Sequence, residues 1–567
     1  MKKPSNLAYG VDETPPLPVT VLSALQHVGL VAIFLVYPLV VSREAGASIA
    51  TSTSILSLAM LVLGIGTVLQ ALTKGPVGSG YLAPINFSAI YLGPSLVAAH
   101  LGGLPLVFGM TVFAGLIESV LSRGLRYLRP FLPPEIAGLV VFFVGLSVGS
   151  VGVRYLFGIG EAEPAGAIHL AVAGIALLTM IALNVWTRGM LRWFCALIGM
   201  AVGYGAAAVG GLLTADVAGG LGDVPILALP RFDHLAWSFD ASLAPLFTVA
   251  ALAATVKVIG LLSTCQKTND AEWVRPEMGS IGRGVLADGM GTTLAGFLGT
   301  IGINIGSSSI GMISATGVAS RVIAYVTGGI FVALAFLPAV TATLALMPRA
   351  VMAAALIFAG CFMLVNGMQV ITSRMLDVRK TLVIGIATVA ALALDANPGL
   401  AAGVPEVLRP LVSSPLVLGT VAAIGLNLVF RLGVRQTVSL TVNPAEPYAK
   451  QVEDFLNRQG AAWGARPDVV ARAIFGINQS IEVVAEHGAS GGPITVTASF
   501  DEFNLDIALS YAGELIALSD RRPSDAEIRD SEDGLRRLAG FMLRRNADRA
   551  HSRRVGDSSV IQFHFDH

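Results

Sequence analysis

Charged side chains are scarce in this chain. Asp, Glu, Lys and Arg make up 13% of its 567 residues, about half of the roughly 25% usual for a soluble domain. With 54% of the residues hydrophobic, most of the polypeptide must face something other than water. An excess of either charge is also missing, 37 basic residues standing against 37 acidic ones, so no global field attracts a nucleic acid, which argues against that class of partner. Cysteine is rare: Cys195, Cys265 and Cys361 each lie in or beside an apolar stretch without CxxC or Cys/His spacing. That argues against a zinc site or a disulfide framework and for buried, inert thiols. There is no Gly-x-x-x-x-Gly-Lys-Ser/Thr phosphate loop, no HExxH motif and no nucleophile–base pair. A primary pump and an enzyme are therefore disfavoured, and no metal or cofactor is expected. Met1 to Thr20 is polar and proline-rich and holds no short apolar run with a small-residue cleavage site, so the first membrane helix must itself direct insertion.

What is present is a succession of apolar stretches from about Leu17 to Phe430, read at roughly 20 residues per pass as about fourteen passes, several of them short. Lys2/Lys3, Lys74, Arg123/Arg126/Arg129, Arg188/Arg192, Lys267/Arg275/Arg283, Arg374/Arg379/Lys380 and Arg431/Arg435 fall at alternate helix ends. The positive-inside rule assigns those ends, and both termini, to the cytoplasm. The organisation expected is a cytoplasmic tail over 1–17, a membrane domain over 18–435 with repeats of about 18–213 and 243–432, and a soluble cytoplasmic α+β domain over 441–567. In the last, Val469 to Glu486 has a helical pattern, while Ile494 to Phe500 and Leu505 to Leu509 alternate as paired strands do. Asp520 to Asp533 is polar and reads as a loop.

Two segments break the helical pattern: Gly78-Ser79-Gly80-Tyr81-Leu82-Ala83-Pro84-Ile85-Asn86-Phe87-Ser88 and Gly302-Ile303-Asn304-Ile305-Gly306-Ser307-Ser308-Ser309-Ile310-Gly311. Each is apolar enough for membrane depth yet too rich in Gly, Ser or Pro for a continuous helix. Such backbone survives there only inside protein or along a cavity. One interrupted segment in each half is the sequence mark of a transport site between inverted repeats.

The run Ser308-Ser309-Ile310-Gly311-Met312-Ile313-Ser314-Ala315-Thr316-Gly317-Val318-Ala319-Ser320-Arg321 resembles the signature of the nucleobase-ascorbate transporters of the xanthine/uracil permease type. Leu25-Gln26-His27, Pro133-Pro134-Glu135 and Gly284-Val285-Leu286-Ala287-Asp288-Gly289 match the same family elsewhere. The resemblance implies an all-α, fourteen-segment, seven-plus-seven inverted-repeat fold with core and gate domains, an elevator-type motion and a homodimer in a bacterial inner membrane. It also implies a nucleobase-like substrate, a purine such as xanthine or urate, moved by a symporter that uses protons as the coupling ion. The chain departs from the family at two places: the Gln/Glu-Asn pair is Ser308-Ser309, and the glutamate of the eighth helix is Lys257. A carboxylate accepts hydrogen bonds from ring N–H groups, whereas an ammonium only donates. The change favours a urate- or xanthine-like monoanion and leaves open another organic anion, carried by a transporter, channel or transceptor.

The candidate substrate contacts are Lys257, Ser308, Ser309 and Gly311, with Ser88, Ala89 and Tyr91 from the other interrupted segment; Asp288 and His27 are candidates for proton coupling. Each has a plainer alternative. Lys257 sits inside the apolar run Ala250 to Leu262, where a charge is expensive, yet it could snorkel to an interface or pair with Asp288 for structure alone. His27 could be a satisfied core histidine, the two serines small-residue packing, and Tyr91 a packing ring instead of a stacking one. Gly311 would allow close approach of backbone to ligand. Glu118 and Glu135 are expected to pair with Arg123, Arg126 or Arg129 near helix ends. The C-terminal domain faintly resembles a histidine-kinase-like ATPase of the anti-sigma-factor type. It lacks the family's Glu-three-residues-Asn pattern and has Tyr511-Ala512-Gly513 at the Asp-x-Gly turn, so a regulatory or interaction role is expected there.

Overall fold

A computed structural model describes residues 2–124, 134–159, 165–213, 225, 227–273, 276–372, 376, 378–397, 399, 403–405, 415–430, 436–463, 465, 467–487, 492–500, 504–523 and 532–566. The chain divides into two compact units, Met1–Asn427 and Leu428–His567.

In the first unit seven helices among the described residues are long and apolar enough to cross a bilayer, or eight if one bent pair is a single span. The first half runs α1 (Leu17–Ala32) into α2 (Val36–Glu44), α3 (Ile49–Ala71), β1 (Ile85–Phe87), α4 (Ala89–Leu121), α5 (Pro134–Phe157), α6 (Ala167–Trp186) and α7 (Cys195–Val209). The second runs α8 (Ala244–Asn269), α9 (Met278–Phe297), β2 (Ile303–Ile305), α10 (Ser307–Thr316), α11 (Val322–Ala335), α12 (Pro338–Ala345), α13 (Arg349–Ile371), α14 (Val378–Ala396) and α15 (Pro415–Phe430). α1 and α2 form one pass, and α11 and α12, bent by 79°, are taken together as another. α4 is two segments joined at Gly103, whose φ of 67° and ψ of −162° lie outside the helical region; a glycine takes that conformation without a Cβ penalty, and Pro105 cannot restore the missing hydrogen bond. Counted so, each half supplies seven segments, and the chain is a polytopic, all-α integral membrane protein over this unit.

Two packing groups stand out within it. α3, α4, α8, α9 and α11 pack together, as do α5, α6, α7 and α13, which are the core and gate of the expected fold. Glycines set the close crossings. On the gate side a Cβ placed on Gly138, Gly145 or Gly152 of α5 would meet backbone atoms of α13 at 2.5–2.9 Å. Backbone contact of this kind supplies dispersion and packing where lipid leaves no hydrophobic drive between helices.

Residues 2–13 form a strap over the ends of core elements. Tyr9 pairs in parallel with Val318, Ala319 N donates to Tyr9 O at 2.9 Å and Arg321 N to Val11 O at 3.1 Å. Arg321 also forms an ion pair with Asp12. Lys2 N donates to Asp270 Oδ1 at 2.9 Å, and Lys3 pairs with Glu13 at 2.7 Å.

The second unit is α+β. A sheet of order β3-β4-β5-β7-β6, antiparallel throughout, is built from β3 (Gln436–Val442), β4 (Ile494–Phe500), β5 (Asn504–Ala512), β6 (Arg549–Val555) and β7 (Ser558–Asp566). α16 (Ala449–Trp463), α17 (Pro467–His487) and α18 (Glu532–Arg545) complete it. Alternation decides the faces: Leu505, Ile507, Leu509 and Tyr511 of β5, with Ile561, Phe563 and Phe565 of β7, turn into a core shared with Ile477, Ile481 and Val484 of α17. The helix and the strand pair read from the sequence are α17, β4 and β5, with Val496 opposite Leu509. The first strand opens at Gln436, ahead of the expected domain start at 441, because its pairing to β4 extends to Gln436 opposite Phe500. Of the expected loop, 524–531 lies outside the described residues, and α18 already begins at Glu532.

One expectation about cysteine is corrected. Cys195 and Cys265 are buried, but Cys361 is exposed, because α13 turns Gly360 and Gly367, not Cys361, toward α5.

Candidate functional site

The two interrupted segments meet. β1 and β2 pair antiparallel, with Asn86 opposite Asn304 and Ile85 opposite Ile305. Ser88 N donates to Gly302 O and Gly306 N to Pro84 O, both at 3.0 Å. A threonine of the preceding helix serves each strand in the same way: Ile85 N donates to Thr67 Oγ1 of α3 and Ile303 N to Thr292 Oγ1 of α9, both at 3.3 Å. Each unwound stretch thus satisfies the other's backbone, as membrane depth requires, and the local structure repeats in the two halves.

The two half-helices that leave this crossing differ. At α4, Ser88 caps its own helix, its hydroxyl accepting from Ile90 N at 3.3 Å. At α10, Gly306 stands at the cap position and no side chain caps the first N–H groups, which leaves a partial positive charge facing outward from the helix start. Ser309 is fully buried, and the hydroxyls of Ser308 and Ser309 have no partner among the described residues. A Cβ built on Gly306 would lie 3.3 Å from Asn86 Nδ2 and 3.4 Å from Ser309 Oγ, so polar groups of both halves converge beside this glycine.

Next to the crossing sits a buried charge cluster. Asp288 of α9 is 1% exposed; its Oδ2 accepts from Asn304 Nδ2 at 2.9 Å, and the same amide reaches Ala254 O of α8 at 3.3 Å. Lys257, one turn further along α8, interacts electrostatically with both Asp288 and Glu118. Glu118 is fully buried and its Oε2 accepts from the Tyr91 hydroxyl at 3.2 Å.

Glu118 is a correction to the sequence expectation. Among the described residues it forms no ion pair with Arg123 and is held instead by the Tyr91 hydroxyl; Arg126 and Arg129 lie outside the described residues. The reason is helix phase. Gly115, one turn earlier on the same face, presses on α9: a Cβ there would be 2.3 Å from Thr293 N, and one on Gly289 would be 2.7 Å from Ser119 N. That contact carries Glu118 inward beside Asp288. Glu135 is likewise paired elsewhere, with Lys380 at 2.6 Å. The sequence signal for Glu118 was its place at the end of the apolar run Leu104 to Leu121, where an ionisable residue is a functional candidate by default. Asn86 and Asn304, also missed, are the polar centres of the two segments.

Of the residues expected to act, the structure brings Lys257, Asp288 and, through Glu118, Tyr91 into one cluster. Ser308 and Ser309 stand at the start of α10, and Gly311 is exposed with no atom within 4 Å of a would-be Cβ. Ser88 and Ala89 are buried at the start of α4. Tyr91 is fully buried and its ring lies 2.2 Å from the Cβ position of Gly302, so in this conformation one side of the ring is closed by the chain. His27 is buried on α1 with Nδ1 unpartnered, and the charge cluster does not reach it.

Residues 19–398 match the model of a permease family, of the xanthine/uracil type. Among curated relatives, a candidate purine permease of Clostridium perfringens (strain 13 / Type A) is 31% identical over 428 residues, covering 75% of this chain and 93% of the relative. The xanthine permease XanP of Escherichia coli (strain K12) is 27% identical over 443 residues, with 75% and 95% covered. The uric acid permease PucJ of Bacillus subtilis (strain 168) is 26% identical over 438 residues, with 75% and 94% covered. Among solved structures, the transmembrane domain of the cyanobacterial bicarbonate transporter BicA aligns with a TM-score of 0.45 at 11% identity, over 74% of this chain and 99% of that one. Murine Solute Carrier 26 family member A9, an anion transporter, aligns with a TM-score of 0.47 at 10% identity, over 76% and 71%.

Proposed function

This chain belongs to the xanthine/uracil permease family, the nucleobase-ascorbate transporters, and on that premise we propose that it is a proton-driven symporter for a purine such as xanthine or urate. The observation that carries the reading is the asymmetry at the crossing. The start of α10 is uncapped and bears the unpartnered hydroxyls of Ser308 and Ser309, a pairing of helix N-terminus and donors suited to an electron-rich or anionic ring edge. Lys257 adds a cation on the neighbouring helix. The names of the relatives, xanthine and uric acid permeases, support the same substrate class.

Ser308, Ser309 and Lys257 hold the substrate in this scheme, Gly311 leaves room for it, and Ser88, Ala89 and Tyr91 shape the opposite wall. Asp288 takes up and releases the proton; His27 serves packing within the core. The core group of helices slides against the gate group, an elevator-type motion, within a homodimer in a bacterial cytoplasmic membrane whose cytoplasmic side bears both termini. The C-terminal unit regulates or docks a partner. Another small organic anion is the second reading, since the cation and the helix end recognise charge before ring shape.

The test places a label where the substrate should sit. With Cys361→Ser removing the exposed thiol, Gly311→Cys gives a single accessible sulfur for maleimide. Xanthine or urate slows its labelling if the purine lies at the start of α10. Unchanged labelling with every purine, while another organic anion protects, moves the assignment to the second reading.

A further inference from the structure

The helix face that carries Glu118 has no role in the scheme above, although it is among the most buried carboxyls in the chain. We propose that Glu118 and Asp288 act as one proton-sharing pair, a second carboxyl on α4 completing the site on α9, with Lys257 as the counter-ion common to both. The use of that proton in transport rests on the symport reading; its presence does not.

Geometry supplies the first part of the argument. Gly289, next to Asp288, and Ser119, next to Glu118, are in backbone contact, a Cβ on the former reaching 2.7 Å from the latter's N and 3.0 Å from Gly115 O. The two carboxyls therefore start from touching helices, and they interact directly. Among the described residues no donor reaches Glu118 Oε1 or Asp288 Oδ1 with hydrogen-bond geometry, while Oε2 and Oδ2 are held by Tyr91 and Asn304. A proton shared by the two carboxyls gives a hydrogen-bond donor to a pair that otherwise holds only acceptors.

Charge balance supplies the second. With all three groups ionised the cluster would carry a net charge of −1 inside the bilayer, and one bound proton leaves a carboxylate, a carboxylic acid and an ammonium, which sum to zero. Two carboxylates in contact do not both ionise when a single cation must serve them, and an uncompensated buried charge is strongly disfavoured. Among the described residues the other charged groups of the packed elements lie toward helix ends or are held elsewhere: Lys267 is in the last turn of α8 and Arg283 in the second turn of α9. α3 and α10 carry no charged residue. On α2, Glu44 is bound by Tyr155 of α5 and Arg43 donates to Ala345 O and Met347 O; on α5, Glu135 is bound by Lys380 and Arg154 lies in the last turn.

The count of protons is directly readable. Infrared spectra of the full-length protein in lipid nanodiscs at neutral pH, with deuterium exchange to identify the C=O stretch of buried carboxylic acids, should show one such band for this cluster. Glu118→Gln and Asp288→Asn should each abolish it, because the remaining carboxylate and Lys257 balance without a proton; Lys257→Met should double it. Absence of the band in the wild type, its persistence in either single variant, or no gain in Lys257→Met overturns the proposal. Both single variants are isosteric, and a monodisperse elution profile certifies folding for each. Purine uptake is measured on the same preparations: a correct band pattern without purine uptake would refute the symport reading and leave the pair standing.

Discussion

Gly289→Ala tests the contact on which the charge cluster depends. The added methyl carbon would lie 2.7 Å from both Ser119 N and Ser119 Oγ and 3.0 Å from Gly115 O. The hydroxyl can rotate away, but the two backbone atoms cannot. Restoring an ordinary contact of about 3.4 Å requires α4 and α9 to part by about 0.7 Å, and forcing one methyl into a filled contact costs about 1–3 kcal/mol. Helix propensity works the other way, Ala being favoured over Gly by up to about 1 kcal/mol. The net expectation is a loss of roughly 0–2 kcal/mol, which places the variant about 1–3 kcal/mol below a control that gains the propensity alone, together with a displaced Glu118. Gly260→Ala on α8 is the control: no atom lies within 4 Å of its Cβ position, so only the propensity gain remains. Thermal unfolding of both variants in the same detergent, with substrate uptake in parallel, reads the difference. A midpoint for Gly289→Ala equal to or above that of Gly260→Ala, with normal uptake, would refute the idea that this crossing is tight and sets the site.

Lys257→Glu replaces a donor to an anionic substrate with an acceptor. Loss of one charge-assisted hydrogen bond, about 1.5–3 kcal/mol, should raise KM for urate about tenfold to a hundredfold and shift preference toward neutral uracil; an unchanged urate KM would remove Lys257 from the binding set. Glu135→Gln removes the carboxylate that pairs with Lys380 at 2.6 Å and should destabilise the protein by up to about 3 kcal/mol, and Glu135→Gln with Lys380→Met should recover part of that loss in the same unfolding assay. The strap is pH-sensitive in a definite direction. The Lys3 ammonium holds Glu13 below its usual 4.5, and the backbone N–H of Lys2 holds Asp270 below its usual 3.8. Depressed carboxylate values mean that the tether is fully present above those figures and is lost as the pH falls through the lower folded values. Cleavage within residues 2–13 by an acid protease should therefore rise only below about pH 4; a rise near neutrality would point to a different tether.

Sequence patterning revealed most of the fold because the membrane imposes strong rules. Long apolar runs, alternate basic ends and two Gly/Ser/Pro-rich breaks are all one-dimensional signals, and alternation exposed β4 and β5 in the soluble unit. The pairing of β1 with β2 was not legible, since three residues, Ile-Asn-Phe and Ile-Asn-Ile, are too few to show a period and the partner strand lies in the other half of the chain. Lys257 and Asp288 stood out as charges within apolar helices. Glu118 did not, because its position three residues from the helix end and near Arg123 suggested a surface. What decides its fate is rotational phase, set by Gly115 against Thr293 and by Gly289 against Ser119, and phase between two helices is a three-dimensional fact. The capping difference between α4 and α10 follows from one substitution, Ser88 at the first cap against Gly306 at the second, but it could be read only once the Asn86–Asn304 pairing had aligned the two segments.

The most direct test of the central claim is uptake of radiolabelled xanthine into proteoliposomes containing the purified full-length chain, with and without an inward proton gradient. Accumulation above equilibrium only with the gradient, competed by urate, is the predicted result. Failure of the folded protein to accumulate xanthine or urate, or equal accumulation without the gradient, would contradict it.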